Sequence, residues 1–376
     1  MKIAMVTDQY LPQLGGVPDS IVTLAKGLRA LGHTLRIYAP DLPGSAPESD
    51  VVRIPTITFA GGIGAMVSPF GVQSLIQEFK PDVIHVHSVG IAAFAGMKAG
   101  KKLRVPVLAT CHGSMADYLY LVRLNFWPIP SIVKRTEGWY FNHADVITAP
   151  TQPPLDGIMD HGAKVEHMQV ISNPIDTDLF RPLEDKQVLK KKLGIEQNAL
   201  LLFGRLAPEK NLEAVVEIFS AVVKESDAQL VVAGDGPAAN DFKGQIERAG
   251  LTKQTRYLGT LRGEALTEAI NACDVMLMTS LVEAQGMTVL QAAACGVPAV
   301  GARSGGVAEC IQDEVSGFVV DIQDKKKFVE RLLQLLQSEY QRRDFGAAAQ
   351  TFAASYAPAD IAQRFIDAYG HAIRVR

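Results

Sequence analysis

Residues 199–211 read ALLLFGRLAPEKN. An unbroken apolar run over 199–204 closes at Gly204, two cations follow at Arg205 and Lys210, and helical spacing takes over at 211–223. A short apolar run bounded by a turn predicts a strand buried on both faces, the kind that parallel sheets use. Arg205 and Lys210 would then project from the C-terminal end of that strand, where open α/β sheets bind their ligands. An Arg can fork onto phosphate oxygens and a Lys can add a point charge, although two cations on a solvated turn explain the same residues.

Working outward, the strand–turn–helix unit repeats. Downstream, 229–233 predicts a strand ending in Gly234-Asp235-Gly236-Pro237, with further strands at 255–258, 275–278 and 298–301. Upstream, 2–7, 34–39, 83–87, 105–110 and 146–149 predict strands, and 19–31 a helix with Ile21, Leu24, Ala25 and Leu28 on one face, ended by Gly32. Strands alternating with helices imply parallel pairing and right-handed crossovers, hence doubly wound sheets. The turn-rich segment Ser172-Asn173-Pro174-Ile175-Asp176 separates the two series. A last helical stretch, 355–373, carries Ile361, Phe365, Ile366 and Tyr369 on one side.

The chain has 376 residues, more than one typical domain holds, and 48% apolar against 20% charged residues suits two well-buried α/β domains. A net charge of -3 argues against nucleic acid as a partner. Cys111, Cys273, Cys295 and Cys310 form no CxxC pair, so a disulfide framework or zinc cluster is not expected and a reducing cytosol fits. The apolar start breaks at Asp8, too early for a signal peptide, and no apolar stretch reaches the about 18 residues of a membrane span.

Three further places carry candidate chemistry. Gly15-Gly16, between the first strand and first helix, can bring backbone N–H groups close to an anion, or can be a plain turn; a full GxGxxG is absent, which disfavours a dinucleotide cofactor. In Glu283-Ala284-Gln285-Gly286-Met287-Thr288, the carboxylate can accept from sugar hydroxyls while amides at Gly286 and Met287 take a sugar or phosphate oxygen; a charge complementing a helix dipole is the plainer alternative. His112 follows a strand and precedes Gly113, so it can face a cleft. His85 and His87 read as structural; the three histidines could hold a metal, but no nearby carboxylate cluster in the sequence supports one, and none is expected.

Jointly these blocks resemble the retaining glycosyltransferases of the GT-B fold, group 1, family 4. The matching stretches are DQYLPQLGGVPDSI (8–21), PDVIHVHS (81–88), TCHG (110–113), ADVITAPT (144–151), NPIDTDLF (173–180), GRLAPEKNL (204–212), GDGP (234–237) and EAQGMTVLQAAACGVPAV (283–300), nearly the whole chain in family order. The resemblance implies two Rossmann-like domains with a cleft between them. The first, 1–172, would bind acceptor, with the terminal helix 355–376 packing back on it; the second, 173–354, would bind the nucleotide sugar. It implies Glu283, His112, Arg205 and Lys210 as catalytic residues. Gly15, Gly16, Gly234, Gly286, Met287, Thr288, Gln291 and Leu261, the last in a loop over 257–261 that would hold the nucleobase, would contact the donor. Tyr10, Asp117 and Tyr118 would contact the acceptor. No metal or other cofactor is implied: the cations and glycine amides would stabilise the departing diphosphate, and the acceptor would attack from the face that the diphosphate leaves. One departure stands out. Where the family repeats Glu, this chain has Gln291, which can still accept and donate a hydrogen bond but brings no charge.

Two features resemble bacterial diacylglycerol glycosyltransferases: Met115-Ala116-Asp117-Tyr118-Leu119 after His112, and the Glu283-Ala284-Gln285-Gly286 form of the donor block. In addition, 118–135 mixes Leu, Ile, Phe and Trp with Arg123, Lys134 and Arg135, a composition able to lie on an anionic bilayer. The expected activity is therefore transfer of a hexose from a UDP- or GDP-sugar to an acceptor hydroxyl, on a membrane lipid such as diacylglycerol, by a cytoplasmic protein peripheral to the inner face of the membrane. Transfer to a cell-wall or exopolysaccharide precursor is the alternative, with a sugar-nucleotide epimerase or hydrolase, or a binding-only pseudoenzyme, as readings from other classes.

Overall fold

The computed structural model describes residues 1–13, 15–58, 65–67, 71–87, 89–116, 119, 124 and 126–376. The chain divides into two compact units, Met1–Pro174 with Pro358–Arg376, and Ile175–Ala357.

The strands of the first unit are β1 (Lys2–Thr7), β2 (Thr34–Pro40), β3 (Val51–Ile54), β4 (Thr56–Thr58), β5 (Ala65–Val67), β6 (Val83–His87), β7 (Val107–Thr110), β8 (Val146–Ala149) and β9 (Met168–Val170). Its helices are α1 (Gly16–Ala30), α2 (Val72–Phe79), α3 (Ile91–Leu103), α4 (Ile129–Phe141) and α5 (Gln152–Asp160). All strands but β4 and β5, which pair with each other, form one parallel sheet in the order β3-β2-β1-β6-β7-β8-β9. Period-two alternation serves both faces: Ala4 and Val6 of β1 join the core under α2–α5, while Ile3 and Met5 join the core under α1.

The second unit contains α6 (Lys186–Leu193), β10 (Ala199–Phe203), α7 (Leu212–Val222), β11 (Gln229–Ala233), α8 (Ala239–Arg248), β12 (Thr255–Gly259), α9 (Gly263–Asn271), β13 (Val275–Met278), α10 (Met287–Ala294), β14 (Ala299–Ala302), β15 (Gly317–Val320), α11 (Lys325–Gln337) and α12 (Glu339–Ala354). Its parallel sheet runs β12-β11-β10-β13-β14-β15. Along β10, Ala199, Leu201 and Phe203 enter one core layer and Leu200 and Leu202 the other. The apolar run that opened the sequence is therefore a central strand covered on both faces, and the unit is a Rossmann-like doubly wound domain, as is the first.

The last helix, α13 (Pro358–Val375), belongs to the first unit. It begins at Pro358 rather than 355, at the first helical position, where the missing N–H of proline costs nothing. Its Ile361, Ala362, Phe365, Ala368, Tyr369 and Ala372 share a core with Ile21, Leu24, Ala25 and Leu28 of α1. The helices touch backbone to backbone at Gly27, where a Cβ would come within 2.1 Å of the Pro358 carbonyl oxygen. The expected strand over 105–110 starts only at Val107, because Pro106 cannot donate into the ladder.

Candidate active site

In the second unit the strand order reverses between β10 and β13, so the crevice at their C-terminal ends is the topological switch point where such sheets take ligands. The segments leaving those two strands are the ones that carry Lys210 and Glu283. Pro208–Lys210 forms a short 3-10 turn, and two bonds from the segment after β13 clamp it: Thr279 Oγ1 donates to the Lys210 carbonyl at 2.8 Å and the Leu281 N–H to the Glu209 carbonyl at 2.8 Å. On this frame Lys210 Nζ pairs with Glu283 Oε1, the two side chains only 14% and 17% exposed. Arg205, exposed, pairs with Glu209 four residues on. Each candidate cation thus already holds a carboxylate.

Glu283 is held from behind by a residue pair that sequence reasoning missed. The Gly306 N–H donates to the Glu283 carbonyl at 2.8 Å, and Cβ atoms on Gly305 and Gly306 would lie 2.5 Å from the carbonyl oxygens of Glu283 and Ala284. Only glycine lets the segment after β14 back onto this loop. The Ser304-Gly305-Gly306 triplet after a strand was the available signal. Gly234 has a comparable packing reason: a Cβ there would stand 1.9 Å from the Gly204 carbonyl oxygen, so it seats the turn after β11 against the turn that carries Arg205.

The amides of Gly286 and Met287 are engaged: Met287 N–H donates to the Gln285 carbonyl at 2.9 Å, and Gly286 N–H is directed to Cys310 Sγ. Gly286 caps α10 and Leu290 N–H reaches back to it, so the first-turn amides left over are those of Thr288 and Val289. Thr288 Oγ1 beside them is buried with no hydrogen-bond partner among the described residues. Gln291 lies in the same helix, 8% exposed. Leu261 and Met287 are half-buried and pack on the adjoining core.

In the first unit the corresponding ends of β6 and β7 gather three histidines. His85 is buried and doubly bonded, Nδ1 to Tyr369 Oη at 2.7 Å and Nε2 to Thr110 Oγ1 at 2.6 Å, which continues to Thr148 Oγ1 at 2.7 Å. The His87 ring lies tilted against His85 with ring centroids 3.9 Å apart, and its Nδ1 meets His112 Nε2 at 3.1 Å. Burial holds His85 and His87 well below the usual histidine range, the neighbouring imidazoles adding to the effect. Burial also pushes His112 down to about 4. All three rings are neutral at pH 7. Gly15 and Gly16 stand at the head of α1, whose first-turn amides have no helical partners.

Sequence reasoning also missed Glu137. This carboxylate, 1% exposed, reaches from α4 to the segment just after His112-Gly113, accepting from Ser114 Oγ at 2.8 Å and from the Met115 N–H, with His161 Nδ1 at 3.0 Å. Burial raises its pKa, opposed by those donors. The signal was an acidic residue at a core-facing position of a helix whose Tyr140 and Phe141 are also buried. Tyr10 is 1% exposed, its ring lies under the Arg53 guanidinium at 5.3 Å, and its hydroxyl meets Glu48 Oε2 at 3.4 Å. Asp117 and Tyr118 lie outside the described residues.

Among the described residues no group of three or more His, Cys, Asp or Glu side chains is arranged to hold a metal ion, and no helix is long and apolar enough to cross a membrane.

Residues 185–352 match the family model described as "Glycosyl transferases group 1", and residues 14–179 match "Glycosyltransferase Family 4". The chain is 30% identical over 329 residues to an alpha-monoglucosyldiacylglycerol synthase of Streptococcus pneumoniae, covering 84% of this chain and 74% of that protein. It belongs to the group 1 glycosyl transferases, family 4. It is a glycosyltransferase. A GDP-mannose-dependent alpha-mannosyltransferase of Corynebacterium glutamicum is 26% identical, over 93% of this chain and 84% of that one. The solved structure of Anabaena HepE in complex with UDP and glucose shares the GT-B fold, with a TM-score of 0.79 at 20% identity, covering 99% of this glycosyltransferase and all of that chain (100%).

Proposed function

We propose that this glycosyltransferase moves a hexose from a UDP- or GDP-linked sugar to a hydroxyl of a membrane lipid such as diacylglycerol, with retention at the anomeric carbon. The observation that carries the donor half is the Lys210–Glu283 pair at the switch point of the second unit, with Arg205 on the adjoining turn. Lys210 and Arg205 receive the diphosphate, and Glu283 turns to the sugar hydroxyls as Lys210 leaves it. As the bond from the anomeric carbon to phosphate oxygen breaks, the charge grows on oxygens facing fixed cations, which a low-dielectric site makes effective without a divalent ion. The acceptor oxygen bonds to the anomeric carbon on the same face, and its proton passes to the departing phosphate.

The acceptor half rests on the surface around α4. Phe126, Trp127, Ile132 and Trp139 are 57%, 85%, 57% and 53% exposed, beside exposed Lys134 and Arg135. An exposed apolar patch with tryptophans and cations suits the headgroup region of an anionic bilayer. The S. pneumoniae relative, by its name, makes a glucosyl diacylglycerol lipid.

The test is incubation of the chain with UDP- and GDP-hexoses, in excess chelator, with vesicles of anionic lipid and diacylglycerol. Expected are co-flotation with the vesicles, loss of it in Trp127→Ser, and an α-linked glycolipid from an α-linked donor. No co-flotation at low salt, together with turnover of a water-soluble glycan acceptor, would refute the lipid reading and favour the cell-wall or exopolysaccharide one.

A further inference from the structure

His87 is buried, and the mechanism above does not use it. Its two ring nitrogens differ sharply. Nδ1 lies 3.1 Å from His112 Nε2, whereas Nε2 is buried with no partner among the described residues. The two rings are within 20° of coplanar, with centroids 5.4 Å apart, as for imidazoles meeting edge to edge through one N–H···N bond. One nitrogen of that pair must carry the proton. If His112 donates, the proton of neutral His87 sits on Nε2, giving a buried N–H with nothing to bond. If His87 donates, Nε2 is a bare lone pair. Buried orphan N–H groups are the rarer and costlier of the two, so the second assignment wins.

From this we infer that His87 is a positioning residue that fixes the tautomer of His112: His87 Nδ1–H donates to His112 Nε2, and the His112 ring presents Nδ1–H as a hydrogen-bond donor. The neutral histidine side chain in water prefers the opposite form, with the proton on Nε2, so the bond reverses an intrinsic preference. Neither ring protonates at neutral pH, since burial depresses both. The groups acting electrostatically on His87 are His85 and His112, and His85 is itself saturated by Tyr369 of α13 and Thr110 of β7. With its lone pair occupied, His112 is a poor general base. At the transfer site it would instead donate to a sugar or acceptor oxygen and steady the charge that builds there. This last step rests on the reading that His112 touches the transferred sugar; the tautomer does not.

The experiment is ring-nitrogen NMR of the full chain labelled with 15N-histidine at pH 7.5, with His112 assigned by its loss in His112→Gln. The expected spectrum shows His112 protonated on Nδ1 and bare on Nε2; a proton on Nε2 would overturn the inference. In His87→Leu the His112 proton should move to Nε2 and kcat should fall by roughly ten- to a hundredfold, the range for losing the partner that orients a working imidazole, with donor KM held. His87→Asn, whose side-chain N–H takes the place of Nδ1–H, should restore both tautomer and kcat. Should His87→Leu fold and leave His112 protonated on Nδ1, His87 is not what fixes it. If His112→Gln turns over at the full rate, it is the placement of His112 at the transfer site that fails, while the spectrum still decides the tautomer.

Discussion

Lys210→Met removes the ammonium and keeps the length of the side chain. The backbone beneath stays clamped by Thr279 and Leu281, so the change is confined to charge. What remains is the Glu283 carboxylate, 17% exposed and without its partner. Two unit charges 4 Å apart attract by roughly 4 kcal/mol at an effective dielectric constant near 20, and desolvation offsets most of that. Breaking an exposed pair costs up to about 1 kcal/mol and a buried one about 3–5 kcal/mol. This pair, mostly but not fully covered, falls at about 2 kcal/mol, or about 4–8 °C in the melting of a domain this size. The effect on transfer should be larger, about 10²–10³-fold in kcat, because a charge aimed at the leaving group is lost. The Glu283→Gln/Lys210→Met double variant separates the two effects. It should regain most of the melting temperature, since no lone carboxylate remains, and none of the activity. Differential scanning fluorimetry and a donor-saturated transfer assay read them. A single variant that melts early yet keeps its rate would show that Lys210 only braces Glu283, and the reasoning would fail.

Other outcomes follow from the same geometry. The folded pKa values of His85, His87 and His112 lie below the usual 6.5, so the unfolded chain binds more protons between that value and the depressed ones. Their contribution to stability is complete above about pH 6.5 and falls as pH drops toward 4. Melting temperature should decline over that window, less steeply in His85→Gln, and an identical slope in the variant would contradict it. Gly234→Ala must part the turns after β10 and β11, at about 1–3 kcal/mol, and loosen the Arg205 turn; unchanged melting would contradict the close approach. Arg205→Lys should bind a nucleoside diphosphate more weakly by calorimetry, since an ammonium cannot fork across two phosphate oxygens; equal affinity would remove Arg205 from the site.

The buried strands were legible because burial on both faces writes itself as continuous apolar runs: Lys2–Thr7, Val83–His87, Gln229–Ala233 and Val275–Met278 fall where their residues placed them. The edge strands Val51–Ile54 and Met168–Val170 were not, being short and half-buried. Within the site, residue types were readable and partnerships were not. Lys210 and Glu283 stand 73 positions apart and meet only because β13 lies beside β10, a fact of strand order that no local pattern carries. The Gly286 and Met287 amides read as donors at a helix start, while the partners they have here, the Gln285 carbonyl and Cys310 Sγ, come from a turn and a distant segment that no local pattern shows. Tyr10 was placed at the acceptor by resemblance alone; no local pattern shows that Arg53 of β3 and Glu48 in the loop before it cover its ring and hydroxyl.

The most direct measurement is a crystal structure of this glycosyltransferase with an intact nucleotide sugar and chelator present. The account predicts Lys210 Nζ and the Arg205 guanidinium within hydrogen-bond distance of the diphosphate oxygens, Glu283 on the sugar hydroxyls, and Glu209 released from Arg205. A diphosphate bound elsewhere, with the Lys210–Glu283 and Arg205–Glu209 pairs still closed, would contradict it.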